Sequence, residues 1–318
     1  MSLWVLLGLG IGAAYGYVAQ RGAFCMNSGF RMVVATRDTT KVKAFVLAIA
    51  VQMIGVPILF LLDVARPTYP SLFPVGAVVG GTLFGASMRW AGGCAAGVWY
   101  KLGAGSMSAL AAVAGMIAGA AALEIGPLAG LRLAVQSAAP VALDATRMWM
   151  VAPLFGIVLL AVLFRARPGI AGSWPWRRTG ALMGIVGIGA WFVSGLVGRD
   201  FGMAVIPGSV GLVAPGTAVA WDIVFVLGVP LGAFLAARKL GPVKLARVAW
   251  TDAMRAFSGG VGLGVGASLA AGCTVGHGLT GVALVAPGSI LAIAFIFVGS
   301  ALSTLWQQRR VAASMRSS

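Results

Sequence analysis

Residues 85–97 read Gly-Ala-Ser-Met-Arg-Trp-Ala-Gly-Gly-Cys-Ala-Ala-Gly, and residues 266–276 read Gly-Ala-Ser-Leu-Ala-Ala-Gly-Cys-Thr-Val-Gly. Both join Gly-Ala-Ser to Gly-Cys-x-x-Gly, with two residues fewer between them in the second copy. Upstream, Arg21-Gly-Ala-Phe-Cys-Met26 is echoed by Arg199-Asp-Phe-Gly-Met203, so that Cys25 faces Gly202. The arginines are 178 residues apart and the cysteines 179, which makes one repeat of the two matches.

Working outward, nine apolar stretches approach the ~20 residues that cross a bilayer as helix. They run roughly 3–19, 44–62, 74–90, 107–125, 148–164, 179–197, 220–237, 258–271 and 288–305. Four belong to each copy and the fifth lies between, which turns the second copy upside down. Many secondary transporters are built this way, with the substrate path at the interface of the repeats. The expected fold is an all-α polytopic membrane protein of about nine transmembrane helices plus short broken or re-entrant helices, arranged as an inverted repeat with pseudo-two-fold symmetry. A single domain would fill 1–318, with repeat 1 over about 1–130, a connecting helix over about 145–170 and repeat 2 over about 175–308. Residues 309–318 would form a basic cytoplasmic tail.

Composition agrees. Of 318 residues, 60% are hydrophobic and 9% charged, too few charges to coat a water-facing globule. Glycine, at 47 residues, is in the excess that lets membrane helices approach closely. The net charge of +16 would suggest nucleic acid in a soluble domain, but in a membrane protein it is a topology signal. Counted over the alternating loops of a nine-span chain, 19 of the 23 Lys and Arg fall on one side and 4 on the other. The basic side is cytoplasmic by the positive-inside rule, placing the N-terminus outside and the C-terminus inside. The first stretch has no basic n-region, and bulky Phe24 precedes Cys25, so it reads as a retained helix and not as a signal peptide. Several of the ten tryptophans, among them Trp149, Trp174, Trp176, Trp221 and Trp306, fall near expected span ends and fit interfacial belts.

The three cysteines all fall where glycine interrupts the apolar pattern: Cys25 before Gly29, Cys94 between Gly93 and Gly97, and Cys273 between Gly272 and Gly276. Irregular backbone at membrane depth is tolerated only where protein buries it or a cavity borders it. Broken helices there would present one thiol each, and helix N-termini would aim N–H groups at an anion. Three separated thiols without a Cys-x-x-Cys make a poor redox relay, and with one histidine they supply too few ligands for a metal or cluster, so no metal or cofactor is expected. Thiols in apolar surroundings stay protonated. A neutral S–H touches a polarisable anion without repelling it, which favours a sulfur-containing anion, and weak donors in series hold an ion yet release it.

The Gly-Cys-x-x-Gly of both halves, the Arg21–Arg31 stretch and the glycine-rich layout resemble the YeeE/YedE sulfur-transport family of bacterial inner membranes. The resemblance covers most of the chain and implies a transporter, not an enzyme, shaped as a two-fold pseudo-symmetric hourglass with a narrow waist. Characterised members take up thiosulfate, and their functional cysteines match Cys25, Cys94 and Cys273, whose thiols are thought to pass the anion along by hydrogen bonds. Some relatives are associated with selenium metabolism, and many occur with a small TusA-like sulfur carrier protein, a cytoplasmic partner the resemblance implies here too. Other cargo (sulfide, sulfite, a selenium anion) and covalent sulfur transfer by the cysteines remain alternatives at this stage.

Gly93, Gly97, Gly272 and Gly276 complete the expected pathway, together with Asn27 and His277. Asn27 reads as part of a polar cradle beside Cys25 or as a helix-start residue. His277 reads as a donor to the anion or gate, or as a local structural hydrogen bond. Arg21 and Arg199, at matching repeat positions, would attract anions electrostatically or anchor at the interface by snorkelling. Lys101 reads as an inside-loop charge. Asp and Glu are nearly absent from span interiors, so no carboxylate proton relay is apparent.

Overall fold

The computed structural model describes residues 3–69, 71–137, 147–214, 216, 220–243, 245 and 247–317. The first half holds α1 (Leu3–Arg21), α2 (Met26–Thr36), α3 (Thr40–Leu61), α4 (Pro74–Ala91), α5 (Ala95–Gly103), α6 (Met107–Glu124) and α7 (Ala129–Ser137). A 3-10 turn (Met148–Met150) leads into α8 (Ala152–Phe164), and strands β1 (Ile170–Ala171) and β2 (Trp174–Pro175) pair as a minimal antiparallel hairpin. Then come α9 (Trp176–Leu196), α10 (Ile206–Gly211), α11 (Ala220–Arg238), α12 (Trp250–Ala270), a π-helix (Thr274–Gly281), a 3-10 turn (Val282–Leu284) and α13 (Pro287–Ser317).

Every one of the nine apolar stretches carries a helix, the form that satisfies peptide groups where no water reaches them. Five helices, α3, α6, α9, α11 and α13, are long and apolar enough to cross a bilayer. The pair α12 and π-helix makes a sixth if its 43° bend is counted within one span. The chain is thus an all-α, multi-pass membrane protein. The fifth stretch falls short of the expectation, because α8 has only 13 residues.

Other boundaries also differ from the sequence reading. The eighth helix begins at Trp250, two turns before the expected 258. Thr251, Asp252 and Arg255 hide those turns from a hydropathy reading but do not oppose helix. The expected basic tail continues α13 as helix to Ser317. Residues 145 and 146, the start expected for the connecting helix, lie outside the described residues. Trp176 and Trp221, read as belt residues, are fully buried instead.

The helices pack in pairs that recur with the two halves exchanged. Helix α1 lies on α11 and α9 on α3; α6 lies on α12 and α13 on α4; α2 touches α13 and α10 touches α6. Across the middle, α1 meets α9 and α4 meets α12. Glycine makes the close pairs possible. A Cβ on Gly16 would stand 1.9 Å from the Val229 carbonyl oxygen, and one on Gly232 would stand 1.8 Å from that of Ala13. The α6–α12 pair repeats the device at Gly115 and Gly260. In lipid, where apolar burial gives helices little reason to associate, such backbone-to-backbone approach supplies the attraction.

One buried ion pair ties the second half together. Arg199 Nε donates to Asp222 Oδ2 at 2.8 Å and its Nη2 pairs with Oδ1. Its Nη1 donates to the carbonyls of Phe201 and Gly202, both at 2.6 Å, while the guanidinium stacks on Trp221 at 4.7 Å. Both charged side chains are about 5% exposed. Removing one partner of such a pair leaves the other charge buried and uncompensated. Asp222→Ala is therefore expected to lower stability by about 3–5 kcal/mol, read as a lower thermal midpoint of the purified protein in detergent. The double change Arg199→Met with Asp222→Leu recovers most of that loss. An unchanged midpoint in the single variant would contradict the pairing.

Candidate functional site

Four helices break off and the chain resumes in a new direction. After α1, Ala23 turns left-handed (φ 45°); after α4, Gly92 does (φ 75°). After α9, Gly198 (φ 72°) and Asp200 (φ 45°) do so, and after α12, Ala271 (φ 59°). In three of the four breaks the next residue with extended backbone before the new helix is a cysteine. Cys25 caps α2, Cys94 caps α5 and Cys273 caps the π-helix, and none spends its side chain on a capping hydrogen bond. The fourth break holds Gly202 where the others hold a thiol. A Cβ there would meet Trp191 Nε1 at 2.6 Å and Thr280 Oγ1 at 2.9 Å.

The two sides of each break are treated unequally. Carbonyls released at the helix C-termini find side-chain donors. Lys101 Nζ donates to the Gly92 oxygen. Ser173 donates to the Arg21 oxygen through its N–H at 2.8 Å and its Oγ at 2.9 Å. Gln136 of α7 donates to the Ser268 oxygen at 2.9 Å, and His277 Nε2 lies 2.8 Å from that of Ala270. The N-terminal ends carry only the thiols. Helix N-termini carry N–H groups that favour an anion, and here backbone N–H groups of Ser28, Gly97 and Gly276 lie against the sulfurs of Cys25, Cys94 and Cys273.

The thiols converge. All three cysteines are free and buried. A Cβ on Gly97 would lie 2.9 Å from Cys25 Sγ and 3.3 Å from Cys94 Sγ, so both sulfurs rest against the same bare Cα. Cys25 and Cys94 are within hydrogen-bonding reach of each other, and Cys94 also faces the hydroxyl of Thr274, the neighbour of Cys273. Thr274 Oγ1 is fully buried and lacks a hydrogen-bond partner of ordinary geometry. Gly93 is needed for the tight turn back, since a Cβ there would come 3.0 Å from the Gly97 carbonyl carbon.

A pocket of about 340 Å³ reaches Cys273. Tyr69, Phe73, Phe201, Pro207, Gly276 and His277 contribute to its walls, and no Lys, Arg, Asp or Glu does among the described residues. Tyr69 lies outside the spans; burial raises its phenol above the usual range, so its O–H stays intact, with Oη accepting the Trp149 N–H at 2.8 Å. Gly276 is buried, yet a Cβ on it would meet nothing within 4 Å, so that position faces the cavity. At the opposite end, Lys101 acts electrostatically on Cys25. Lys41 Nζ donates to Ser28 Oγ at 2.9 Å, and that hydroxyl donates to the Cys25 carbonyl at 2.9 Å. The pocket thus touches Cys273, Thr274 beside it neighbours Cys94, and the lysines act on the Cys25 side.

Several expected roles change. His277 has both ring nitrogens occupied: Nε2 must donate to the Ala270 carbonyl, so Nδ1 accepts from Ser289 Oγ at 3.0 Å. The imidazole clasps the end of α12 to the start of α13 and is the structural hydrogen bond of the two readings. Gly272 keeps the space beside that ring, since its Cβ would lie 2.7 Å from Nε2. Arg199 is consumed by Asp222 and neither attracts anions nor snorkels. Arg21 stacks on Trp174 at 5.4 Å with its Nε buried and unpartnered. Asn27, half-buried, makes no hydrogen bond among the described residues. Lys101 is no mere loop charge, as it closes the α4 break. Tyr15 and Tyr100 were missed by sequence reasoning; both are buried, with Tyr15 close enough to interact with all three thiols and Tyr100 with Cys25 and Cys94. Their positions inside α1 and α5 gave no signal, because a lone tyrosine in an apolar helix looks like packing.

No group of metal-ligating side chains occurs among the described residues. The site brings S–H, O–H and N–H groups together, with Lys41 and Lys101 on the side of Cys25.

The profile of the sulphur transport family matches residues 21–302. The chain is 29% identical to the thiosulfate transporter TsuA of Escherichia coli K12, over 94% of this chain and 93% of that one. It is likewise 29% identical to the thiosulfate transporter TsuA of Spirochaeta thermophila, over 92% and 96% respectively. The probable transporter YedE of Escherichia coli is 34% identical over 32% of this chain and 24% of its own length. These relatives are named as transporters and not as enzymes, and the match spans all three thiol-bearing breaks: the chain belongs to the sulphur transport family.

Proposed function

We propose that this protein takes up thiosulfate across the bacterial inner membrane, passing it along Cys273, Cys94 and Cys25 by hydrogen bonds. The observation that carries this reading is the alignment of three uncommitted thiols, each at the start of a resumed helix, between an uncharged vestibule and a pair of lysines. Neutral donors hold a dianion without locking it in place, and Lys101 and Lys41 draw it toward the basic face. The outer sulfur of thiosulfate is soft and polarisable, a match for S–H contacts that sulfate lacks. Nothing in the line requires covalent chemistry at the cysteines.

The reciprocal helix pairs and the four matching breaks support nine membrane-embedded helices in two inverted halves, with α8 as the short connector. The positive-inside count supports an outer N-terminus and a cytoplasmic C-terminus. The vestibule then opens outward and the lysines face the cytoplasm, where a separate TusA-like carrier would meet the delivered sulfur.

Cys94→Ala and Cys273→Ala are expected to cut thiosulfate uptake and thiosulfate-dependent growth by ~10-fold or more, at least ~1.4 kcal/mol of barrier, with the protein still inserted in the membrane. Cys25→Ala follows less completely, because its partner position is already Gly202. Normal uptake in all three variants would sink the thiol line. Gly97→Ala should abolish uptake although every cysteine is present, since its methyl group displaces both sulfurs. Gly276→Leu should block uptake with little change in thermal midpoint, because its side chain enters open space; unimpaired transport of labelled thiosulfate would show that the anion takes another route.

A further inference from the structure

On the basic face, away from the thiols, α4, α12 and the last turns of α13 enclose a crevice of about 600 Å³ that takes no part in the path described above. Arg89, Arg255 and Arg310 each reach it from a different helix. The Arg89 guanidinium is half-buried and is repelled by Arg255 and by Arg31, which lines the neighbouring pocket on the far side of Arg89. Among the described residues no acidic side chain lines the crevice, and Asp252, one turn before Arg255, forms no ion pair with it. Neither the Arg89 nor the Arg255 guanidinium donates a hydrogen bond among the described residues. Three like charges on three packed helices thus converge without a compensating charge among the described residues.

The surroundings identify what compensates them. Trp90 and Trp306 line the same crevice and are 47% and 46% exposed. Arg310 stacks over Trp306 at 3.9 Å. Exposed indoles on membrane helices mark the level of the lipid headgroups, and the exposed apolar residues Leu302 and Leu305 continue along α13 toward the acyl region. We propose that this crevice binds the phosphate headgroup of an anionic phospholipid, with Arg89 and Arg255 on the phosphate, Arg310 held beside it by Trp306, and the acyl chains against the apolar flank of α13. Guanidinium groups suit this task because their planar donor fork matches phosphate oxygens. Basic pockets between membrane helices are a recurring form of lipid recognition.

The test uses the full chain purified in neutral detergent and titrated with phosphatidylglycerol, phosphatidylcholine or inorganic phosphate. Retained lipid is counted by native mass spectrometry and the thermal midpoint is followed. Phosphatidylglycerol should be retained and should raise the midpoint, while phosphatidylcholine does neither. Arg89→Gln with Arg255→Gln should lose the retained lipid, and Arg310→Gln, on an exposed turn that does not endanger folding, should weaken it. Arg309→Gln, which removes the same charge one residue away and outside the crevice, should retain lipid like the parent. Equal retention of the two lipids, or unchanged phosphatidylglycerol retention in Arg310→Gln and the double variant, would overturn the proposal. An equal shift from inorganic phosphate alone would assign the crevice to a free oxyanion and overturn the lipid.

Discussion

A helix that stops inside an apolar interior frees peptide groups that water cannot reach, and each must find a partner or cost several kcal/mol. This protein meets the requirement on one side of each break and leaves the other side open. Freed carbonyls are matched by built-in donors from Lys101, His277, Gln136, Ser173 and Arg199. At the starts of α2, α5 and the π-helix stand the thiols, with backbone N–H groups of Ser28, Gly97 and Gly276 against them. Because the two ends of a helix carry opposite partial charge, donors supplied to the negative ends leave the positive ends to favour an anion.

The rest of the architecture holds those breaks still. Close glycine contacts between α1 and α11 and between α6 and α12 fix the long helices at backbone distance, and the breaks hang from their ends. The buried Arg199–Asp222 pair fastens the fourth break, the one without a thiol. His277 performs a related task from within the π-helix, joining α12 to α13 across Cys273. Rigidity matters here, because thiols are weak donors and only fixed geometry lets several of them act on one ion.

Much of this was legible in the amino-acid sequence. The Gly-Cys-x-x-Gly stretches announce the breaks because glycine and cysteine in that order have little reason to sit inside an apolar helix. Helix locations followed from apolar length alone, and α12 was misjudged only where Asp252 and Arg255 made its first turns polar. What could not be read was anything decided by partners far away in the chain. The sequence near Arg199 does not reveal Asp222, 23 residues on and in another helix. His277 lies between glycines beside a cysteine, which suggests ligand chemistry, whereas Ala270 and Ser289 occupy both its nitrogens. Tyr15, Tyr100 and Thr274 join the site through folding, with no local pattern to mark them.

Gly97 places the heart of the site in an unusual position with respect to inheritance. What the thiols lean on there is a hydrogen atom, and every other amino acid substitutes carbon at that point. Neighbouring residues have no means of offsetting such a change, since the atoms that would have to move aside are the two sulfurs themselves. A change at this codon therefore acts on the thiols directly, whereas changes in helices, loops and surface charge reach them only through intervening contacts.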